Sequence, residues 1–226
     1  MRIHWLVVTG RAFVVAFAIA GATHAATRSP APAETVILHA QGRISSGDLH
    51  SCQVTNDGTV HCWGENDFGT LGDGTTTDRL APVTVSGVAN AIAVSAGGIQ
   101  TCALIGDGTI RCWGNNGFGQ LGDGTTTRRL TAVAVSGLSN VVAISSGFGH
   151  TCAVVGDGTA RCWGANNAGQ LGDGTTTNRL TPVAVSGATN LVAISAGDSH
   201  TCALRRDGTA SCWGGNFSGQ LGDGTT

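Results

Sequence analysis

The chain has 226 residues, of which 36 are glycine, 12% are charged and none is tyrosine, and its formal net charge is −2. A protein that binds nucleic acid needs clustered lysine and arginine to neutralise phosphates. Here the twelve basic residues are all arginine and lie scattered along the sequence. We therefore expect no nucleic-acid partner.

Residues 1–25 have the layout of a secretory signal peptide. Arg2 and Arg11 precede an apolar run at 12–21, and small residues at 22–25 end in Ala25, as at a signal cleavage site. An apolar run of about ten residues is too short to cross a hydrocarbon layer of ~30 Å. We predict cleavage after Ala25, a mature chain without a membrane span, and a secreted, periplasmic or cell-surface location; an uncleaved membrane anchor is the alternative. Residues 26–34 form a linker rich in proline and alanine.

From residue 35 onward the chain consists of repeats of 50 residues. The segment CQVTNDGTVHCWG at 52–64 returns as CALIGDGTIRCWG, CAVVGDGTARCWG and CALRRDGTASCWG, starting at positions 102, 152 and 202. A period of this length is typical of solenoids, propellers and arrays, in which each unit stacks on its neighbours. We divide the repeats into units at about 44–93, 94–143, 144–193 and 194–226, the last incomplete.

Each unit is predicted to contain four short strands separated by Gly, Asn and Asp. In the third copy we place them at 182–185, 192–195, 200–204 and 209–213. Four strands in about fifty residues make one propeller blade, so the predicted fold class is an all-β propeller. One tryptophan per unit follows the second cysteine, and we expect its ring to pack against a neighbouring blade, with a tryptophan-lined ligand site as the alternative. These residues are Trp63, Trp113, Trp163 and Trp213.

The two cysteines of each unit are ten positions apart, with an Asp-Gly pair between them. A two-residue type I′ turn on Asp-Gly would place the cysteines out of register. A type I turn followed by a glycine bulge tolerates the variable residue before Asp and places the cysteines directly opposite. An even number of cysteines in an exported chain indicates disulfides. We predict Cys52–Cys62, Cys102–Cys112, Cys152–Cys162 and Cys202–Cys212.

Two metal sites are alternatives to this structural interpretation. His50, His150 and His200 each lie two residues before a cysteine, which resembles part of a zinc site, but Gln100 takes this position in the second unit and no C-x₂-C spacing is present. The long connection 164–180 contains Asp173-Gly174, which suggests calcium, yet its spacing is not that of a known calcium loop. We expect neither a metal nor a cofactor.

Positions that differ between units are candidates for partner contacts, because identical positions serve the blade itself. Among them, Phe68, Phe118 and Phe148 are large apolar residues at predicted strand ends and loops, and exposed aromatic residues are frequent anchors in protein interfaces. Neutral drift between duplicated units is the alternative explanation.

The pattern H-T-C-A-L-x-x-D-G-T-x-x-C-W-G-x-N-x-x-G-Q-L-G-D-G-T-T, present over residues 44–226, resembles the repeat of the regulator of chromosome condensation family. The resemblance implies a β-propeller, usually of seven blades. The family's namesake promotes nucleotide exchange on a small nuclear GTPase and contacts chromatin, and another relative is a secreted bacterial inhibitor of β-lactamase. The cysteine pairs depart from the intracellular members and suit an exported version.

Together these observations predict a secreted or surface-exposed propeller that serves as a protein-binding or structural scaffold without enzymatic activity; its protein partner is unknown. The alternative is a regulatory propeller, either similar to a guanine-nucleotide exchange factor or an inhibitor of an extracellular enzyme. The sequence stops inside a repeat. We favour a fragment of a seven-bladed protein, against closure by a strand at 35–39 or an open arc that self-associates.

Overall fold

The computed structural model describes residues 42–226, which form fifteen β-strands in four antiparallel sheets. The predicted signal peptide, the linker and the strand at 35–39 lie outside the described residues. The first sheet contains β1 (Ile44–Ser46), β2 (His50–Val54), β3 (Val60–Gly64) and β4 (Arg79–Thr84). The second contains β5 (Ala91–Ala96), β6 (Gln100–Ile105), β7 (Ile110–Gly114) and β8 (Arg129–Ala134). The third contains β9 (Val141–Ser146), β10 (His150–Val155), β11 (Ala160–Gly164) and β12 (Arg179–Ala184), and the fourth contains β13 (Leu191–Ala196), β14 (His200–Arg205) and β15 (Ala210–Gly214).

Within each sheet, strands that follow one another in sequence pair with one another, so every blade is a meander. The hydrophobic core lies between successive blades and not within one. The first core cluster, for example, combines Val54 and Val60 of the first blade with Ala103 and Trp113 of the second. Because a blade covers its apolar face only by stacking on the next, the repeats stabilise one another as neighbours. Among the described residues no helix is both long and apolar enough to cross a membrane.

The predicted grouping of one strand is wrong. The sequence groups the strand at 182–185 with the three strands that follow it, whereas β12 pairs with β11, which precedes it. The reason is the long loop between them, which turns back on itself through Asn166 and Asp173 and returns the chain antiparallel to β11. The predicted unit boundaries at 93/94, 143/144 and 193/194 accordingly fall inside β5, β9 and β13.

The hairpin turns have the geometry expected of a type I turn with a glycine bulge. Gly158 has a φ of 78°, and the backbone N–H of Val155 donates to the carbonyl oxygen of Thr159 at 2.9 Å. This register places Cys152 opposite Cys162. The structure joins all eight cysteines in the four predicted pairs, each with a Cα–Cα distance of 4.1 Å.

Three of the four tryptophans pack against the preceding blade. Trp113 and Trp163 are fully buried, and the indole N–H of Trp163 donates to the carbonyl oxygen of Gln120 at 2.9 Å. Trp213 makes the equivalent bond to Gln170 at 3.0 Å. Trp63 differs, since it lies in the first described blade and is only half-buried.

Candidate functional site

A hydrogen-bonded chain crosses the interface between the first two blades. Thr101 donates its hydroxyl hydrogen to the carbonyl oxygen of Thr70 at 2.9 Å, and its Oγ1 lies 2.8 Å from Nε2 of His50. Because a threonine has only one hydroxyl hydrogen, Nε2 of His50 must be the donor to Thr101. His50 therefore links the first blade to the second by a hydrogen bond.

At the second interface Gln100 replaces the histidine. Its side-chain nitrogen donates to the carbonyl oxygens of Gly147 and His150, both at 3.1 Å. At the third interface the histidine form returns, with Nε2 of His150 at 2.9 Å from Oγ1 of Thr201. An amide substitutes for the imidazole because the position requires a hydrogen-bond donor that reaches the next blade.

Burial favours the neutral form of the imidazoles of His50 and His150. Burial lowers the pKa of His50 to about 4, against the opposing attraction of Asp48. Burial and the neighbouring His200 lower the pKa of His150 to about 4. Between residues 42 and 226, no three His, Cys, Asp or Glu side chains come together as metal ligands do.

The long loop of each blade is organised by an asparagine. Nδ2 of Asn66 donates to the carbonyl oxygens of Thr75 and Thr77, both at 3.1 Å. Asp73 in the same loop pairs with Arg79 at 2.6 Å. The same arrangement recurs at Asn116, Asp123 and Arg129, and at Asn166, Asp173 and Arg179.

The aspartate that suggested calcium is thus already engaged by an arginine. Burial alone would raise the pKa of the Asp173 carboxyl, but hydrogen bonds from Thr175 and Arg179 outweigh it and lower this pKa to about 2. The Asn, Asp and Arg side chains of this arrangement are therefore engaged by contacts within the same blade, which hold the long loop in place.

Two cavities lie at one end of the blade array, which we call the upper end. It is formed by the loops 47–49, 65–78, 97–99, 115–128, 147–149, 165–178, 197–199 and 215–226. The axial cavity, of about 490 Å³, is lined by equivalent residues of all four blades, at positions 46–48, 96–98, 146–148 and 196–198. It lies where the first strands of the blades come together.

Glycines bring the inner turns together around the axial cavity. A Cβ atom at Gly97 would lie 2.4 Å from the carbonyl oxygen of Gly147, and one at Gly98 would lie 2.4 Å from the ring of Phe148. No side chain fits at such distances, so glycine permits this close packing. Ser146 also lines the axial cavity; it is 8% exposed, and its hydroxyl has no hydrogen-bond partner in the described part of the chain.

The second cavity is a groove of about 410 Å³ between the second, third and fourth blades. Phe118 and Phe148 form its aromatic walls and are 42% and 43% exposed. The groove is further lined by Gly149, Ala165, Asn167, Gln170, Asn178, Asp198 and Ser199. It shares Phe148 and Asp198 with the axial cavity, so the two cavities form one continuous surface.

Of the three predicted anchors, two therefore converge and one does not. Phe68 is 37% exposed at the equivalent position of the first blade, but it lines neither cavity. The sequence could not show this difference, because it depends on Phe148, which projects from a turn where the other units have Asp48, Gly98 and Asp198.

Gly98 and Gly149 are among the positions that differ between units, but sequence reasoning missed that they make room for the two aromatic rings. A Cβ atom at Gly149 would lie 3.1 Å from the ring of Phe118. A signal was present, since glycine and phenylalanine occupy equivalent positions in successive units at 98 and 148. A glycine in one unit and a phenylalanine at the equivalent position of the next unit would have indicated that the two residues are in contact.

Negative charge dominates the upper end. Among the described loops of the upper end, Arg128 is the one basic residue outside the Asp–Arg pairs. Outside those pairs and the last loop, the acidic residues there are Asp48, Glu65, Asp67, Asp78 and Asp198. At the opposite end, arginines and the turn aspartates alternate, for instance Asp107 with Arg111 and Asp157 with Arg161. The upper end therefore presents an acidic surface with two aromatic side chains in it.

Family models place the chain among known repeats. A model described as the regulator of chromosome condensation (RCC1) repeat matches residues 57–104, 107–154 and 157–204. A second model with the same description matches 43–70, 91–120, 141–170 and 191–220. Human E3 ubiquitin-protein ligase HERC2 is 44% identical over 45 residues, which is 20% of this chain and 1% of HERC2.

Solved structures show the same fold. Human WBSCR16 superposes with a TM-score of 0.73 and 27% identity over 82% of this chain and 51% of that protein. Prp20p from Saccharomyces cerevisiae, whose structure is described together with its binding to Gsp1p and histones, gives a TM-score of 0.69 and 22% identity over 81% of this chain and 47% of Prp20p. The chain thus spans about half the length of these structures, and their likeness confirms the predicted β-propeller class.

Proposed function

Because this chain belongs to the regulator of chromosome condensation repeat family, we propose that it is an exported, non-catalytic scaffold that binds a partner protein at its upper end. A fold of this kind supports many functions, so the function has to be argued from the surface that the fold presents. The observation that carries the proposal is the convergence of Phe118 and Phe148, from different blades, on one groove.

Aromatic side chains at a protein surface are typical anchors of protein interfaces, because they bury much apolar area at a small cost in side-chain entropy. The two rings are held from behind by small neighbours, Gly98 behind Phe148 and Gly149 beside Phe118. A pre-formed aromatic groove loses little conformational freedom when a partner fills it. Phe118 and Phe148 are therefore suited to act as anchors.

Export is supported by the disulfides. Four bridges account for every cysteine of the sequence, and such bridges persist in oxidising compartments and are rare in the cytosol. The signal-like composition of residues 1–25 points in the same direction. We propose a secreted, periplasmic or cell-surface location on these two grounds.

A non-catalytic role is supported by the tasks that reactive side chains already have. The cysteines form bridges, His50 and His150 link neighbouring blades by hydrogen bonds, and Asp73, Asp123 and Asp173 pair with arginines. Each task recurs in several blades, which is what a stacked scaffold requires of its units.

The test is site-specific photo-cross-linking in cells that naturally make this protein. A photoreactive phenylalanine analogue, p-benzoylphenylalanine, is placed at position 118 in one variant and at position 68 in another. Both sites carry an exposed phenylalanine at the same point of the repeat, but only Phe118 lines the groove. We expect a discrete protein adduct from position 118 and none from position 68. Equal adducts at both positions, or none at either, would contradict binding at the groove.

A further inference from the structure

We propose that the partner presents a basic segment in which a lysine or arginine side chain enters the axial cavity and an adjacent apolar side chain lies between Phe118 and Phe148. This inference rests on the proposed function, since it specifies the chemistry of the partner at the same surface. Three properties of the upper end lead to it.

The first property is an excess of hydrogen-bond acceptors in the axial cavity. Asp48 and Asp198 both line it, and neither carboxylate makes a side-chain hydrogen bond or ion pair with any other residue of the described 42–226. Ser146 adds a buried hydroxyl that lacks a partner within the same residues. Two free carboxylates and an unpaired hydroxyl match a side chain that brings several N–H donors and a positive charge, as lysine and arginine do.

The second property is the continuity of the axial cavity with the groove. Phe148 and Asp198 belong to both. A residue of an extended chain spans about 3.3–3.6 Å, so neighbouring residues of one segment can place one side chain on each side of Phe148. The exposed face of Phe148 also suits a cation, because an aromatic ring attracts lysine and arginine electrostatically.

The third property is the charge of the whole upper end. Its unpaired side chains are mostly acidic, and Glu65 and Asp67 extend the negative surface beyond the cavities. Such a field accelerates encounters with a basic partner and disfavours an acidic one. It also predicts that binding weakens as salt is added, because exposed charges are screened over about 8–10 Å at physiological ionic strength.

The experiment pans a random dodecapeptide phage library on the folded, disulfide-bonded protein, and measures the enriched peptides by fluorescence anisotropy. Four variants are compared with the parent protein. Phe118→Ala and Asp198→Asn alter the proposed surface. Phe68→Ala and Asp67→Asn make the same chemical changes at exposed positions of the upper end that line neither cavity. All four side chains are exposed, and an unchanged thermal unfolding midpoint shows that each variant folds.

We expect the enriched peptides to carry lysine or arginine next to an apolar residue. Their affinity should fall at least about tenfold in Phe118→Ala and in Asp198→Asn, and less than about twofold in the two control variants; tenfold corresponds to about 1.4 kcal/mol. Raising the salt from 50 to 300 mM should weaken binding to the parent and have a smaller effect on Asp198→Asn.

Other outcomes overturn the inference and separate it from the proposed function. Peptides without basic residues that depend on Phe118 but not on Asp198 would refute the charge of the partner and leave the groove as the binding site. Peptides indifferent to both substitutions would refute the site itself. A library without enriched peptides would refute recognition of a short segment, and the photo-cross-linking result would then decide whether a folded partner binds the groove.

Discussion

The indole N–H of Trp113 donates a 2.8 Å hydrogen bond to the carbonyl oxygen of Thr70, which lies 43 residues earlier in the preceding blade. The same carbonyl oxygen also accepts the hydroxyl hydrogen of Thr101. Two donors of one blade thus converge on a single acceptor of another. The contact explains why an aromatic residue with a polar atom, and not phenylalanine, stands at this position of the second, third and fourth repeats.

Replacing Trp113 by phenylalanine should therefore cost more than the same change at Trp63. Trp113→Phe removes a buried hydrogen bond and part of a fully buried side chain, and we expect a loss of at least about 2 kcal/mol in the free energy of unfolding. Trp63 is half-buried, so Trp63→Phe should cost less than half as much. Urea unfolding followed by circular dichroism measures both values, and equal losses would contradict the proposed importance of the blade interface.

Stability should decline in mild acid because of the buried histidines. The pKa of His150 is about 4 in the folded protein, against about 6.5 in an unfolded chain. Between these values the unfolded state binds the additional proton, so the free energy of unfolding falls as pH is lowered from 6.5 to 4, by up to about 1.4 kcal/mol per pH unit for this group. Above pH 6.5 the effect vanishes.

The second blade supplies the variant that tests this pH dependence. Gln100 occupies the position equivalent to His150 and bonds to the next blade without titrating. His150→Gln should keep the interface and reduce the loss of stability between pH 7 and pH 5, as measured by urea unfolding at each pH. His61→Gln, outside this hydrogen-bonded chain, serves as the control and should follow the parent. An unchanged pH profile in His150→Gln would refute the role of the buried imidazole.

Removing any one of the four disulfides should lower the free energy of unfolding by a similar loop-closure contribution. Every bridge joins cysteines separated by ten positions, which corresponds to about 3 kcal/mol in the chain-entropy model. The double variant of Cys152 and Cys162 to alanine should lose more than that of Cys202 and Cys212, because the former pair is fully buried and the latter half-buried. Guanidinium unfolding without reductant compares them. A larger loss at the half-buried pair would contradict this ranking.

The groove should depend on glycine at position 98. In Gly98→Ala the new methyl group would meet the ring of Phe148 at 2.4 Å, and we expect a loss of about 1–3 kcal/mol from overpacking together with displacement of the ring. Gly117→Ala is the matched control, since its nearest neighbour would be the Asn115 side chain at 3.4 Å. Thermal unfolding and the near-ultraviolet spectrum report both effects. Indistinguishable variants would show that Phe148 does not rest on Gly98.

Local sequence signals predicted the hairpins of the fold well. The variable residue before Asp-Gly, as in Arg206 and Gly156, identified the turn type, and the turn fixed the register of the cysteines. The grouping of the strands into blades was harder to predict, because a repeating sequence can be divided into units at any point of its period. Hydrogen bonds made by Asn166 within the long loop decide that β12 returns to β11, and these are tertiary contacts.

Only part of the candidate site could be predicted from the sequence. Comparison of equivalent positions indicates Phe118 and Phe148, but their meeting in one groove, and the exclusion of Phe68, depend on how the loops of neighbouring blades come together. For the histidines the sequence pattern suggests only a zinc site. The substitution of Gln100 for histidine at one interface was the clue to their task, because glutamine donates a hydrogen bond but seldom binds zinc.

Export of a propeller with a disulfide in each hairpin is the premise on which the proposed function rests. It is tested most directly by the intact mass of the protein recovered from the cells that make it, after alkylation of free thiols with and without prior reduction. We predict a chain that has lost residues 1–25, with no alkyl groups before reduction and eight after it. A full-length chain that takes up eight alkyl groups without reduction would contradict both the bridges and the export.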